Sequence, residues 1–100
     1  MICNTYKEFF KAICNESRIE ILFLLKKNAL TVGDVVKTLK KEQSAVSHNL
    51  RKLKKKGFVK STVKGKERIY SLEKETKELL EIIDKHVGKN FHEDCKCKAR

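Results

Sequence analysis

Residues 43–53, QSAVSHNLRKL, constrain the fold more than any other stretch of this chain. On a helical period of 3.6 residues, Val46, Leu50 and Leu53 share one face, while the other positions are mostly polar or basic. Three lysines and a glycine follow at residues 54–57, and the glycine predicts a left-handed cap that ends the helix. The pattern therefore predicts an amphipathic helix that packs through one side and presents polar groups outward.

The outward side of this helix suits a nucleic acid. Small hydrogen-bonding side chains near its start suit base edges in a major groove, and cations towards its end suit the phosphate backbone. The residues predicted to address base edges are Ser44, Ala45, Ser47 and His48. The residues predicted to hold the DNA backbone are Gln43, Asn49, Arg51 and Lys52.

Basic charge is concentrated around the same helix. Residues 40–68 contain eleven basic and two acidic side chains, so they supply +9 of the formal net charge of +11. Residues 73–100 contain seven of each kind and are neutral. Lysines spread over a surface for solubility would not concentrate in this way, so the distribution favours a polyanion partner, here double-stranded DNA.

Three further helices and a turn are predicted before the central helix. Apolar residues recur at helical spacing within residues 5–14, and Asn15 is a suitable N-cap for a second, largely apolar helix. Thr31 and Asp34 have the spacing of a capping box at the start of a third helix. A short turn through residues 40–43 then joins the third helix to the central one, which is the helix-turn-helix pattern.

A β-hairpin is predicted after Gly57. Residues 58–63 and 68–72 are β-compatible, and the four residues between them include Gly65. The fold class predicted is therefore mainly α with a small β-hairpin wing, a winged helix-turn-helix. The wing residues expected to reach phosphates or an adjacent minor groove are Lys64, Lys66 and Arg68.

The last predicted helix, residues 73–88, carries a broad apolar face. Three helices and a hairpin already fill one core, so we predict that this helix pairs with its copy, with help from the first helix, to form a two-fold homodimer. The predicted interface residues are Tyr6, Phe9, Leu79, Ile82, Ile83 and Val87. The alternative, in which this helix folds back on its own core, stays open. One domain is expected over residues 1–88, followed by a polar tail at residues 89–100.

Two broad classes of protein are not expected. No apolar run is long enough to span a membrane and the first residues do not begin a signal peptide, so we expect a cytoplasmic protein without a membrane partner. The sequence contains no carboxylate pair, nucleophile with a base, or phosphate-cradling glycine loop, so we do not expect an enzyme.

Four blocks of sequence carry a family resemblance. They are FKAICNESRIEIL at residues 10–22, TVGDV at 31–35, QSAVSHNL at 43–50 and IYSL at 69–72. In order and spacing they resemble the ArsR/SmtB family of winged-helix transcriptional repressors. The resemblance implies a homodimer that binds a palindromic operator and, in many members, leaves it when a metal, metalloid or oxidant is sensed.

The chain departs from this family at the positions of its sensor sites. A soft-metal site of the family has cysteines where this chain has Thr31 and Gly33, and thiol-sensing members have a cysteine in place of Phe23. A second family metal site, on the last helix, corresponds here to Lys74, Thr76, Val87 and Asn90. These residues are poor ligands for zinc or a soft metal, so neither site is expected.

The remaining candidate ligands lie near the two ends of the chain. His92, Cys95 and Cys97 offer one nitrogen and two sulfurs, a set that suits Zn(II) or a thiophilic metal or metalloid acting as an effector. If the terminal helices pair across a dimer, Cys3 or Cys14 would complete a site between subunits. The alternative is that Cys14 is a small core residue and that the tail is disordered.

Three functional hypotheses therefore remain. The first is a sequence-specific repressor of a palindromic operator that a metal, metalloid or thiol-reactive signal releases. The second is a regulator of the same kind without an inducer. The third is an architectural module that binds DNA without sequence specificity.

Overall fold

Five helices and three short strands make up residues 4–90, which are the residues that the computed structural model describes. In chain order they are α1 (Asn4–Ile13), α2 (Glu16–Lys27), β1 (Leu30–Thr31), α3 (Val32–Leu39), α4 (Gln43–Lys55), β2 (Val59–Lys64), β3 (Glu67–Leu72) and α5 (Lys74–Asn90). The predicted helix-turn-helix is α3 and α4, and the predicted wing is β2 and β3. None of the five helices is long and apolar enough to cross a membrane.

Side chains fix the starts of α2 and α3, as the sequence predicted. Asn15 Oδ1 accepts a hydrogen bond from the backbone N–H of Arg18 at 3.1 Å. At α3, Thr31 Oγ1 accepts from the Asp34 N–H at 3.1 Å, and Asp34 Oδ2 accepts from the Thr31 N–H at 3.2 Å. Each such cap is worth about 1 kcal/mol, because it satisfies donors that the first helical turn leaves without partners.

The end of α4 is fixed by its glycine. Gly57 adopts φ 85°, the Phe58 N–H donates to the Leu53 carbonyl at 2.9 Å, and the Gly57 N–H donates to the Lys54 carbonyl at 3.1 Å. These two bonds form a Schellman motif, and Phe58 and Leu53 are both buried beside it. The predicted C-cap is confirmed, and it sets the direction in which the chain enters the wing.

The sheet contains one strand more than the predicted hairpin. Its order is β1-β3-β2 and both pairings are antiparallel, with Leu30 opposite Tyr70 and Val59 opposite Leu72. Strand β1 contains only two residues, which is too short to show an alternating pattern. It ties the loop before α3 to the wing, so the helix-turn-helix and the wing share one sheet.

The core lies between the helices and the inner ends of β2 and β3. Val46, Leu50 and Leu53 of α4 are each at most 1% exposed, as their spacing predicted. They pack with buried residues of every other long element except α1: Ile21, Leu22, Leu25, Val35, Phe58, Val59, Tyr70, Leu72 and Leu80. Burying three aliphatic side chains contributes roughly 2 kcal/mol each, which anchors α4 with its polar side outward.

Helix α5 divides its apolar side chains between the core and the surface. Leu80 is only 4% exposed and belongs to the core, so the expectation that this helix has no place in its own core is wrong for that residue. Ile82 is 65% exposed, and Leu79, Ile83 and Val87 are half-buried. Folding back and pairing with a partner therefore do not exclude each other, because Leu80 packs in the core while Ile82 stays exposed.

Candidate DNA interface

The outward face of α4 is polar and basic along its whole length. Ser44, His48 and Arg51 are exposed at spacings of four and three residues, and Lys55 continues the row one turn further on. Three other predicted contact residues on α4 are also exposed: Gln43, Ala45 and Lys52. The two remaining ones, Ser47 and Asn49, are half-buried at the edges of this face. This row lies opposite the buried Val46, Leu50 and Leu53 because all of them repeat on one helical period.

The start of α4 carries an acidic residue beside a predicted base contact. Glu42 occupies the N-cap position without accepting a capping hydrogen bond, and its Oε1 accepts instead from the Ser44 hydroxyl at 2.7 Å. The carboxylate therefore restrains Ser44, and its charge opposes a phosphate at this end of the helix. For Ser44 to donate to a base, the bond to Glu42 has to open.

The wing presents two lysines at its tip. Lys64 and Lys66 are exposed on either side of Gly65, which has φ 67° in the tight loop between β2 and β3. Arg68 is also exposed, but its Nη1 donates to Ser61 Oγ at 3.2 Å, so this side chain lies against the neighbouring strand. The tip cations are therefore freer to follow a DNA backbone than Arg68 is.

Two lysines near α4 form ion pairs with acidic residues of the same chain. Lys41 Nζ lies 3.2 Å from Glu20 Oε1, and Lys56 Nζ lies 3.8 Å from Glu8 Oε1. Both pairs are largely solvent-exposed, and such pairs are worth between 0 and about 1 kcal/mol. DNA phosphates would compete with them at little cost.

Asn49 has a partner that the sequence pattern did not reveal. Its Oδ1 accepts a hydrogen bond from Arg18 Nη1 of α2 at 3.3 Å. Thirty-one residues separate the two in the chain, so no local spacing could indicate the contact. Asn49 faces the helices of its own chain, and a backbone contact from it remains a prediction.

An apolar groove of about 750 Å³ lies on another side of the molecule, between α1, α2 and α5. Leu79, Ile83 and Val87 are among the residues that line it. Two of the other predicted interface residues are strongly exposed, Tyr6 at 62% and Ile82 at 65%. Phe9 is exposed less, because its ring packs on Phe10 and Phe58 at centroid distances of 5.2 and 5.3 Å. The predicted interface residues therefore include three that line the groove and three other exposed apolar side chains of α1 and α5.

The residues at the two family metal-site positions do not fit a metal. Thr31 uses its hydroxyl in the capping box, Gly33 has no side chain, and Thr76 is buried. Within residues 4–90, no group of three or more His, Cys, Asp or Glu side chains is arranged to hold a metal ion. The predicted ligands His92, Cys95 and Cys97, and also Cys3, lie outside the described residues. Cys14 is exposed at the apolar groove with a free thiol.

Comparison with known proteins gives consistent results. The family model described as bacterial regulatory protein, arsR family, matches residues 15–61. An HTH-type transcriptional regulator of Methanocaldococcus jannaschii is 37% identical over 79 residues, which cover 77% of this chain and 89% of that protein.

Two solved structures have the same fold. HlyU from Vibrio cholerae, a transcriptional activator, superposes with a TM-score of 0.73 at 33% identity, over 85% of this chain and 96% of that chain. A homodimeric winged helix-turn-helix DNA-binding domain from Mycobacterium bovis superposes with a TM-score of 0.72 at 25% identity, over 82% of this chain and 81% of that chain.

Proposed function

The chain belongs to the arsR family of bacterial regulatory proteins, and from this premise we propose that it is a homodimeric repressor that binds a palindromic operator through α4 and the wing. As a member of that family it is a DNA-binding transcriptional regulator and not an enzyme. The proposal adds the dimer, the palindrome, the contact residues and the sign of regulation.

One observation carries the proposal. All three large apolar residues in the middle of α4 are completely buried, while its opposite face, with Ser44, His48 and Arg51, is open to solvent. A helix held this firmly can enter a major groove without rearranging, and its exposed groups have the chemistry that base edges and phosphates require.

The wing and the basic end of α4 would hold the DNA on either side of the bases. Lys64 and Lys66 supply mobile cations at the tip of the hairpin, and Arg51 and Lys52 supply cations along α4. Such contacts contribute affinity without sequence information, whereas Ser47 and His48 would supply the discrimination between base pairs. The genome is the partner, so the proposal places the protein in the cytoplasm of a prokaryotic cell.

A homodimer is the arrangement that best covers the apolar surface of α1 and α5. Tyr6 and Ile82 expose most of their surface, and Leu79, Ile83 and Val87 of α5 line the groove between α1, α2 and α5. Exposed apolar patches of this kind usually mark an interface. A two-fold axis through this surface would turn one recognition helix into two, which is what a palindrome requires. The homodimeric Mycobacterium bovis domain, which has the same fold, supports this arrangement.

Activation is the second candidate for the sign of regulation, because HlyU, a relative 35% identical over 74 residues, is a transcriptional activator. A reporter whose promoter contains the operator distinguishes the two. Repression predicts a higher reporter signal when the protein is absent, and activation predicts a lower one.

Selection from a library of randomised duplexes tests the DNA-binding part of the proposal. We expect an inverted repeat to be enriched, with its two half-sites about one helical turn apart. Enrichment of no motif, with all duplexes bound equally, would favour the architectural module instead.

A further inference from the structure

We propose that Arg18 is a positioning residue that sets the spacing between operator half-sites without touching DNA, by joining α1 to the recognition helix α4. This inference rests on the proposed dimer, because the spacing between two recognition helices has meaning only there. It is carried by the hydrogen bonds of a single guanidinium group.

Arg18 completes the C-terminus of α1. The last four carbonyls of a helix lack partners within the helix, and in α1 these belong to residues 10–13. The carbonyl of Phe10 accepts from the Cys14 N–H, and that of Ile13 accepts from the Asn15 N–H. The other two accept from Arg18: Nε donates to the Ala12 carbonyl and Nη2 donates to the Lys11 carbonyl at 3.2 Å. All four carbonyls are therefore satisfied.

The same guanidinium reaches the recognition helix. Its remaining edge, Nη1, donates to Asn49 Oδ1 at 3.3 Å in a partly buried position. Asn49 directly precedes Leu50, which is completely buried. The hydrogen bond to Asn49 is therefore made to the part of α4 that the core holds in place. The backbone of Arg18 is fixed as well, because its N–H donates to the N-cap side chain of Asn15. Arg18 therefore holds α1, α2 and α4 in one arrangement.

A planar guanidinium with several fixed donors suits this role, and lysine does not. A lysine at this position would keep the positive charge but could not donate to both carbonyls and to Asn49 in the same geometry. The surrounding polar pocket of about 290 Å³ is lined by one carboxylate, Glu8, which pairs with Lys56, and by two further lysines, Lys11 and Lys52. Cations therefore outnumber the carboxylate, so charge alone would not favour a further cation here. The hydrogen-bond geometry, rather than the charge, explains why arginine suits this site.

The position of α1 relative to α4 determines where the recognition helices lie in the dimer. If α1 and α5 pair across the two-fold axis, each α4 is carried at a fixed distance from that axis. Half-sites in such complexes lie about 34 Å apart, and one base pair changes the separation by about 3.4 Å. A small rotation of α4 relative to α1 would therefore favour a different spacer, while the bases read within each half-site would stay the same.

The test uses the duplex library with the intact protein and two variants, Arg18→Lys and Asn49→Ala. The lysine variant keeps the charge, and the alanine variant keeps the cap on α1 while removing the acceptor on α4. We expect both to select the same half-site as wild type but with a relaxed or shifted spacer. On the wild-type operator each should bind roughly tenfold more weakly, and on a random duplex Arg18→Lys, which changes no predicted DNA contact, should bind within about twofold of wild type. The double variant should be no weaker than Arg18→Lys alone, because that change already removes the hydrogen bond to Asn49.

Melting followed by circular dichroism and sedimentation velocity establishes that each variant is a folded dimer. An unchanged spacer preference in both variants would overturn the proposal, and so would losses of affinity that add in the double variant. Equal weakening on all duplexes by Arg18→Lys would also contradict it, because Arg18 would then act on DNA affinity in general and not on the spacing of half-sites. Failure of the wild-type protein itself to select an inverted repeat would instead contradict the proposed function. The wild-type result therefore tests the operator-binding dimer, and the two variants test the role of Arg18.

Discussion

Gly57 decides where α4 ends and the wing begins. It adopts φ 85°, a conformation that costs a residue with a Cβ atom about 1 kcal/mol. We therefore expect Gly57→Ala to lower the free energy of unfolding by about that amount, measured by urea denaturation.

Gly88 provides the matched control for this substitution. It lies within α5 at a helical position, and an added Cβ would meet nothing within 4 Å there. Alanine has a higher helix propensity than glycine, so Gly88→Ala should leave stability unchanged or raise it by up to about 1 kcal/mol. Equal effects of the two substitutions would contradict the role given to the cap.

Lys64 and His48 should respond differently when each is replaced by alanine. Lys64 at the wing tip offers only charge, so removing it should weaken binding to every duplex. The slope of log affinity against log salt should also fall by about 1 for each phosphate that is no longer neutralised. His48 on the outward face of α4 should instead change which operator is preferred.

Salt titrations on the selected operator and on a random duplex measure both effects. Lys77→Ala is a suitable control, because Lys77 is an exposed lysine that belongs to α5 and not to α4 or the wing. A Lys64 variant with the same salt slope as the Lys77 variant would rule out the wing contact.

The residue-level features that the sequence predicted are all local. The caps at Asn15 and Thr31 and the buried spacing of Val46 and Leu50 depend on neighbours within one or two helical turns. The bond between Arg18 and Asn49 joins residues that only the tertiary fold brings together, so no pattern along the chain indicates it.

Helix α5 illustrates what can be predicted at the scale of an element. Its apolar stripe predicted an amphipathic helix with one buried face. The stripe does not specify whether that face packs on the same chain or on a partner. The structure divides it, with Leu80 in the core and Ile82 at the surface. Strand β1 was missed for a different reason, because two residues that pair only through β3 carry no periodic signal.

Placing an acidic residue at the exposed apolar face of α5 should separate the proposed dimer. We expect Ile82→Glu to shift the protein from dimer to monomer, because a buried, unpaired carboxylate would face the partner's apolar surface. Ile82 is 65% exposed in the single chain, so the helical content should be retained. Sedimentation velocity measures the first effect and circular dichroism the second.

Lys77→Glu introduces the same side chain more than one turn before Ile82, at an exposed polar position on another face of the same helix. This variant should remain a dimer. A dimer that persists in Ile82→Glu would place the interface elsewhere.

At the scale of the whole molecule, charge and apolar surface lie in different parts of the chain. Residues 40–68 carry +9 of the +11 net charge, whereas the exposed apolar side chains Tyr6 and Ile82 belong to the terminal helices. The sequence predicted this division, because net charge and apolar stripes can be counted directly. The relative orientation of the two surfaces depends on tertiary contacts and could not be predicted.

The tail cysteines provide the test for an effector. We propose that His92, Cys95 and Cys97 bind zinc or a thiophilic ion, since these donors suit such metals and the family positions within residues 4–90 do not. Elemental analysis of reduced protein after loading with Zn(II) should give roughly one ion per chain for wild type and much less for Cys95→Ser/Cys97→Ser.

Cys14→Ser is the control for a site shared between subunits. It should lower the metal content only if Cys14 completes that site across the dimer. Equal metal content in wild type and in the double serine variant would leave the inducer-free regulator as the better account.

Hydroxyl-radical footprinting of the wild-type protein on its selected operator tests the central claim most directly. Two α4 helices related by a two-fold axis should protect both half-sites symmetrically, about one helical turn apart, with flanking protection from the two wings. Protection that spreads along the duplex without boundaries, or that covers one half-site alone, would contradict a symmetric operator-binding dimer.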